Sequence, residues 1–155
     1  MPHIPEDTDP NNWHRYFAIE SNNRAWELAV QERSPDQDLE MLNHAHAAAL
    51  HWGVVGTDLH TMRARTLLAE VHALLGFGDS ALALAVEIRN YFLDRETDDW
   101  ELAFVHTIHA HAAAVAGDAE GHADSYRAAR SAIDAIADEE DRKSVMETFV
   151  QVPAP

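Results

Sequence analysis

The residues with the most potential for chemistry in this chain are its histidines: eleven in 155 residues, eight of them from His44 to His111. An imidazole can ligate a transition metal or titrate near neutral pH. A metal site on a helix needs its ligands on one face, three, four or seven residues apart. His44 and His51 are seven apart, and Glu40 lies four before His44. Glu40, His44 and His51 are therefore the candidate metal ligands. His106 and His109 form a second pair at three-residue spacing. The strongest helical metal motifs, His-Glu-x-x-His and the Glu-x-x-His of di-iron bundles, do not occur in the sequence. The competing reading treats these imidazoles as packing groups on alanine-rich helices, each satisfied by a neighbour. That second reading is adopted, with no metal, cofactor or catalytic residue assigned. His46 and His51, five apart, point roughly 140° from each other on one helix, so they are not expected to share a ligand.

Covalent catalysis finds little support. The chain has no cysteine, which excludes disulfides, thiolate nucleophiles and cysteine-based metal centres. It has no Gly-x-Ser-x-Gly elbow, and Gly76-Phe77-Gly78 lacks the lysine and further glycines of a phosphate loop. Carboxylates are too common here for a pair of them to signify. The chain is expected not to be an enzyme.

The formal charge is −16, from 27 acidic and 11 basic side chains. Such a surface repels phosphate backbones and anionic lipid and favours basic partners. Nucleic acid and membrane are thus not expected as partners. No window reaches the roughly 18 continuous apolar residues of a membrane span. The first ten residues are acidic, contain three prolines and lack the basic-then-apolar pattern of an export signal. A cytoplasmic protein is the expectation.

The elements that must position these groups are helical. Residues 1–10 read as an irregular arm. A helical pattern with Trp13, Tyr16, Phe17 and Trp26 then runs to about Arg33, weakening at Glu20-Ser21-Asn22-Asn23, where two short helices could replace one. Ser34-Pro35 restarts the chain, with Ser34 as N-cap and Pro35 at the first helical position. This helix ends at Gly53-Val54-Val55-Gly56. Thr57-Asp58 caps a helix to Leu75, stopped by Gly76. Another runs from Gly78-Asp79-Ser80 with Ala81, Leu84, Ala85, Ile88 and Phe92 on one stripe. A helix from Trp100 to Ala116 stops at Gly117 and is followed by one with Tyr126, Ala129, Ile133 and Ile136. Asp138-Glu139-Glu140-Asp141 opens a last helix, and Val152-Pro153-Ala154-Pro155 is a tail. The reading is all-α: about seven helices in a single domain over 11–151, with short linkers that favour antiparallel neighbours.

The helices ending at Gly76 and Gly117, each followed by a second helix, resemble tetratricopeptide repeats. That family places a small residue five positions after the glycine, a larger one four further on and a small one three beyond. Here those positions hold Ala81, Ala85 and Ile88, and then His122, Tyr126 and Ala129, so the fit is partial. The glycines are 41 residues apart, against about 34 for the family. The chain is also similar to an uncharacterised bacterial group with Ala45-His46-Ala47, His51-Trp52, Val55-Gly56 and Asp141-Arg142. The resemblance implies a tetratricopeptide-like array of three antiparallel helical hairpins plus a C-terminal capping helix. It implies a protein or peptide partner, held in a concave groove by Arg63, Thr66 and Glu70 from one pair and Phe104, Thr107 and His111 from the next. Asn23 and Trp26 extend that face. The expected function is a non-catalytic interaction module, a small adaptor or scaffold; the alternative is a helical protein binding a metal ion or small ligand through histidines. The aromatic stripe Trp13, Tyr16, Phe17 and Trp26 is read as core or cap, or else as a self-association surface giving a homodimer.

Overall fold

A computed structural model describes residues 3–6 and 8–155. Among the described residues there are seven helices and no strand: α1 (Pro10–Ala29), α2 (Pro35–Val55), α3 (Asp58–Leu74), α4 (Gly78–Leu93), α5 (Asp99–Ala116), α6 (Ala119–Asp134) and α7 (Glu139–Phe149). The chain falls into two compact units, Met1–Val71 and His72–Pro155, whose boundary lies near the end of α3.

In the first unit α1 and α2 form a packed helical hairpin. Asp9 caps α1 by accepting from the Asn11 N–H at 3.0 Å, with Pro10 opening the helix. The helix runs unbroken through Glu20–Asn23, where the sequence pattern weakens. Ala18, Ser21, Ala25 and Leu28 are buried along one stripe, and packing of that stripe outweighs the weak local propensity of Ser and Asn. The reverse turn has no glycine. Arg33 takes its place: Nη1 donates to the carbonyls of Leu28 at 2.9 Å and Gln31 at 2.8 Å, and Nε donates to Asp38 at 2.7 Å. A single guanidinium thus satisfies the open end of α1 and ties it to the first turn of α2. Ser34 is the N-cap, as the sequence predicts, and it forms with Gln37 a reciprocal capping box at 3.3 and 2.9 Å.

In the second unit α5 packs against α4, α6 and α7. Ten of its eighteen residues are buried, on all sides of the helix, as befits an element enclosed by neighbours. Ala103, Ala129, Ile133, Ile136, Val145 and Phe149 make a core cluster flanked by Trp100, Phe104, Tyr126 and Met146. The four-residue acidic start of α7 has a local purpose: Asp138 Oδ1 accepts from the N–H groups of Glu140 and Asp141. Arg142 donates to the Ile136 carbonyl and so fastens the start of α7 to the segment leaving α6. The tail is not loose. Val152 is buried, and the Pro153 carbonyl accepts from His122 Nε2 at 2.7 Å.

The two glycine turns match bond for bond. The Gly76 N–H reaches the Ala73 carbonyl, and the Phe77 N–H the His72 carbonyl. The Gly117 N–H reaches Ala114, and the Asp118 N–H reaches Ala113. Both are Schellman motifs, with the glycines at φ +81° and +79°, a conformation a Cβ disfavours.

Candidate functional site

Four of the seven groove positions are buried: Thr66, Glu70, Thr107 and His111. Thr66 and Thr107 each turn their hydroxyl onto their own helix, donating to the carbonyls of Met62 and Ala103 at 2.8 Å. Phe104 is half-buried against the core cluster of the second unit. Trp26 is half-buried and Arg63 exposed. Arg63, Thr66 and Glu70 fall in the first unit, Phe104, Thr107 and His111 in the second. The periodicity that selected them is that of a face, and a face rich in Ala and Thr packs as readily as it opens. As the chain stands, the buried four offer no surface to a partner.

The candidate metal ligands separate in a comparable way. Glu40 Oε1 accepts from Arg24 Nε at 2.7 Å. The guanidinium holds the carboxyl below its ordinary range, and the carboxylate pushes Arg24 further up. His44 Nε2 is 4.0 Å from that same oxygen. His51 lies elsewhere, facing His14 across the hairpin with Nδ1 to Nδ1 at 2.8 Å. Glu40, His44 and His51 therefore do not converge. Among the described residues no three or more His, Asp or Glu side chains are placed to hold a metal ion.

His106 and His109 sit on α5 near Arg89 of α4. His109 Nδ1 lies 2.6 Å from the Ser125 hydroxyl of α6 and 3.4 Å from Arg89 Nη1. A guanidinium only donates, so Nδ1 presents its lone pair and Ser125 donates to it. Burial, reinforced by the Arg89 charge, pushes the His109 imidazole down to about 4; Asp118 opposes and His106 adds a little. His106 is lowered by burial and then by Arg89. The Ser125–His109 contact has the form of a nucleophile and its base. Both residues, however, are 3% exposed, so the pair joins helices rather than meeting a substrate.

A different surface presents the groups a ligand could reach. On α1, Trp13, Tyr16 and Phe17 form an aromatic cluster with ring centroids 5.3–5.9 Å apart. Phe17 also lies 5.7 Å from the His51 ring, which is itself 5.0 Å from His14. Phe17 is 44% exposed, and on α2 Leu50 and Val54 are 66% and 53% exposed. His60 stacks on Trp52 at 4.4 Å, while its Nδ1 accepts from the Thr57 N–H and hydroxyl at the start of α3. Arg15 stands over the Trp52 ring at 5.9 Å. Of the motifs behind the bacterial-group resemblance, His51 and Trp52 fall on this surface, and Asp141-Arg142 falls at the α6–α7 joint.

His14 went unremarked in the sequence because it is 37 residues from His51, beyond any helical spacing. The signal was hairpin register. His14 and His51, like Arg24 and Glu40, lie almost symmetrically about the turn near Arg33, which is where an antiparallel pair brings side chains together.

No family model, curated protein or solved structure matches this chain. No helix among the described residues is long and apolar enough to cross a membrane.

Proposed function

We propose that this chain is a non-catalytic protein-interaction module, a tetratricopeptide-like helical scaffold that binds a basic protein or peptide through the exposed aromatic residues of its α1–α2 hairpin. The observation that carries the reading is the aromatic cluster Trp13, Tyr16 and Phe17, left partly open to solvent on a helix pair that also exposes Leu50 and Val54. Aromatic residues half-buried in a monomer retain apolar area to bury against a partner, and they dominate interface energies. The net charge of −16 favours a basic partner and speeds its encounter. The repeat-like reading is supported by the two matching Schellman turns and by adjacent packed helices joined through short linkers. The binding face then differs from the family's concave one, because Thr66, Glu70, Thr107 and His111 are buried.

The experiment is affinity capture from the native host with three chains: wild type, Phe17→Ser, and Arg63→Ala as the exposed groove control. A partner recovered by wild type and Arg63→Ala, but lost with folded Phe17→Ser, supports the α1–α2 face. A partner insensitive to Phe17→Ser and lost with Arg63→Ala restores the concave groove and refutes this one.

A further inference from the structure

We propose that the outer face of α2 is a self-association surface, on which α2 of a second copy of this chain lies antiparallel. Two helices carry long runs without Asp, Glu, Lys or Arg: Met41–Thr57 in α2 and Leu102–Gly117 in α5. α5 has the composition of an enclosed helix, and ten of its residues are buried. α2 has the same kind of composition but buries only Met41, Ala45 and Ala48. From Leu39 to Val54 its exposed positions are Leu39, Asn43, His46, Leu50, Gly53 and Val54. Leu39, Asn43, His46, Leu50 and Gly53 follow one another at alternating steps of four and three. That is the spacing of the seam between two packed helices. Leu39, Leu50 and Val54 are each more than half exposed on it.

Charge selects the occupant. The chain carries a net −16, so two copies repel where their carboxylates meet and come together most readily where there are none. A basic partner gains nothing from a face without carboxylates. The face is also its own complement about its midpoint. With a two-fold axis between His46 and Ala47, Leu39 meets Val54 of the second copy, Asn43 meets Leu50, and His46 meets Ala47. The small Ala47 at the axis lets the helices approach closely. Asn43 and His46 each combine donor and acceptor, so a symmetry mate bearing the same groups suits them. One helix-on-helix face is smaller than the roughly 800 Å² per partner of a standard interface, so the dimer is reversible, with a Kd on the order of 10–100 µM. The inference goes beyond the protein-binding reading, which rests on Trp13, Tyr16 and Phe17 of α1; the two fail separately.

The test is sedimentation velocity of the full chain from about 5 to about 500 µM, spanning that Kd, together with disulfide trapping. The wild type should pass from monomer to dimer across this range. Leu50→Glu, with circular dichroism as wild type, should stay monomeric. Phe17→Ser on α1 and Val86→Glu on α4, changes at exposed apolar residues elsewhere, should keep the dimer. Because the chain has no cysteine, an introduced thiol reports on a single contact. His46→Cys should cross-link to itself under mild oxidation. Leu39→Cys alone should not, because its counterpart lies roughly 22 Å away along the antiparallel helix. A mixture of Leu39→Cys and Val54→Cys chains should give the mixed dimer. A wild type monomeric throughout, a dimer that survives Leu50→Glu, a dimer lost with Phe17→Ser, or Leu39→Cys cross-linking to itself as fast as His46→Cys overturns the proposal.

Discussion

Acidification should weaken the second unit through its buried histidines, His109 above all, with His106 adding to it, and the size of the His109 share follows from its surroundings. The imidazole is 3% exposed, accepts from Ser125 and stands beside the Arg89 guanidinium. Its pKa in the folded chain is therefore pushed down to about 4 from the ordinary 6.5 of an imidazole. A base whose pKa falls on folding binds its proton more readily in the unfolded chain. Stability is then complete above the unfolded value and declines as pH drops from about 6.5 towards 4. Between pH 7 and pH 4.5 the linkage amounts to at most about 2.4 kcal/mol. The 27 carboxylates titrate in the same range and relieve their mutual repulsion on protonation, so the wild-type curve alone does not isolate the effect. His109→Asn does, because it fills part of the same space with a group that does not titrate. Urea denaturation of both chains at pH 7 and pH 4.5 gives four free energies. The wild type should lose roughly 2 kcal/mol more than the variant on acidification. Equal losses would refute the assignment of a buried neutral imidazole at this position.

Three further outcomes follow from the turns and caps. Gly117→Ala places a Cβ in open space but in the left-handed region, at φ +79°; the expected cost is about 1–2 kcal/mol by thermal denaturation, with Gly76→Ala losing a similar amount. Gly78→Ala has no such strain, but its Cβ would come within 2.7 Å of the Ala116 Cα and 2.8 Å of its N. Backbone cannot retreat as a side chain can, so the loss should reach about 3 kcal/mol; a loss smaller than that of Gly117→Ala would contradict the close approach of α4 to α5. Ser34→Ala removes one arm of the capping box and should cost about 1 kcal/mol in urea denaturation, whereas Ser34→Gly should cost only a few tenths.

The helices were legible because their boundaries are local chemistry. Ser34-Pro35, Gly76, Gly117 and the acidic run at Asp138 each act on backbone groups within five residues, and each begins or ends an element as read. The unbroken α1 was not legible. Continuity through Glu20–Asn23 depends on burying Ala18, Ser21 and Ala25, which no local propensity reports. The histidines divide along the same line. Helical spacing put Glu40 and His44 on one face, and they are indeed neighbours, at 4.0 Å. It could not show that Arg24 already holds Glu40, nor that His51 turns to His14.

By itself, then, the sequence determined that the chain is helical, where its capped and glycine-ended helices start and stop, and that its net charge is strongly acidic. These follow from periodicity, caps and charge, which act over a turn or two of helix. Only the tertiary structure decided which polar groups are enclosed and which face solvent. Thr107 and His111 repeat with helical spacing just as a binding face would, yet they are buried, while Phe17, apolar and apparently fit for a core, stands at the surface beside a histidine pair. Burial belongs to the neighbours a side chain acquires from distant parts of the chain, and so does the chemistry it is left free to perform.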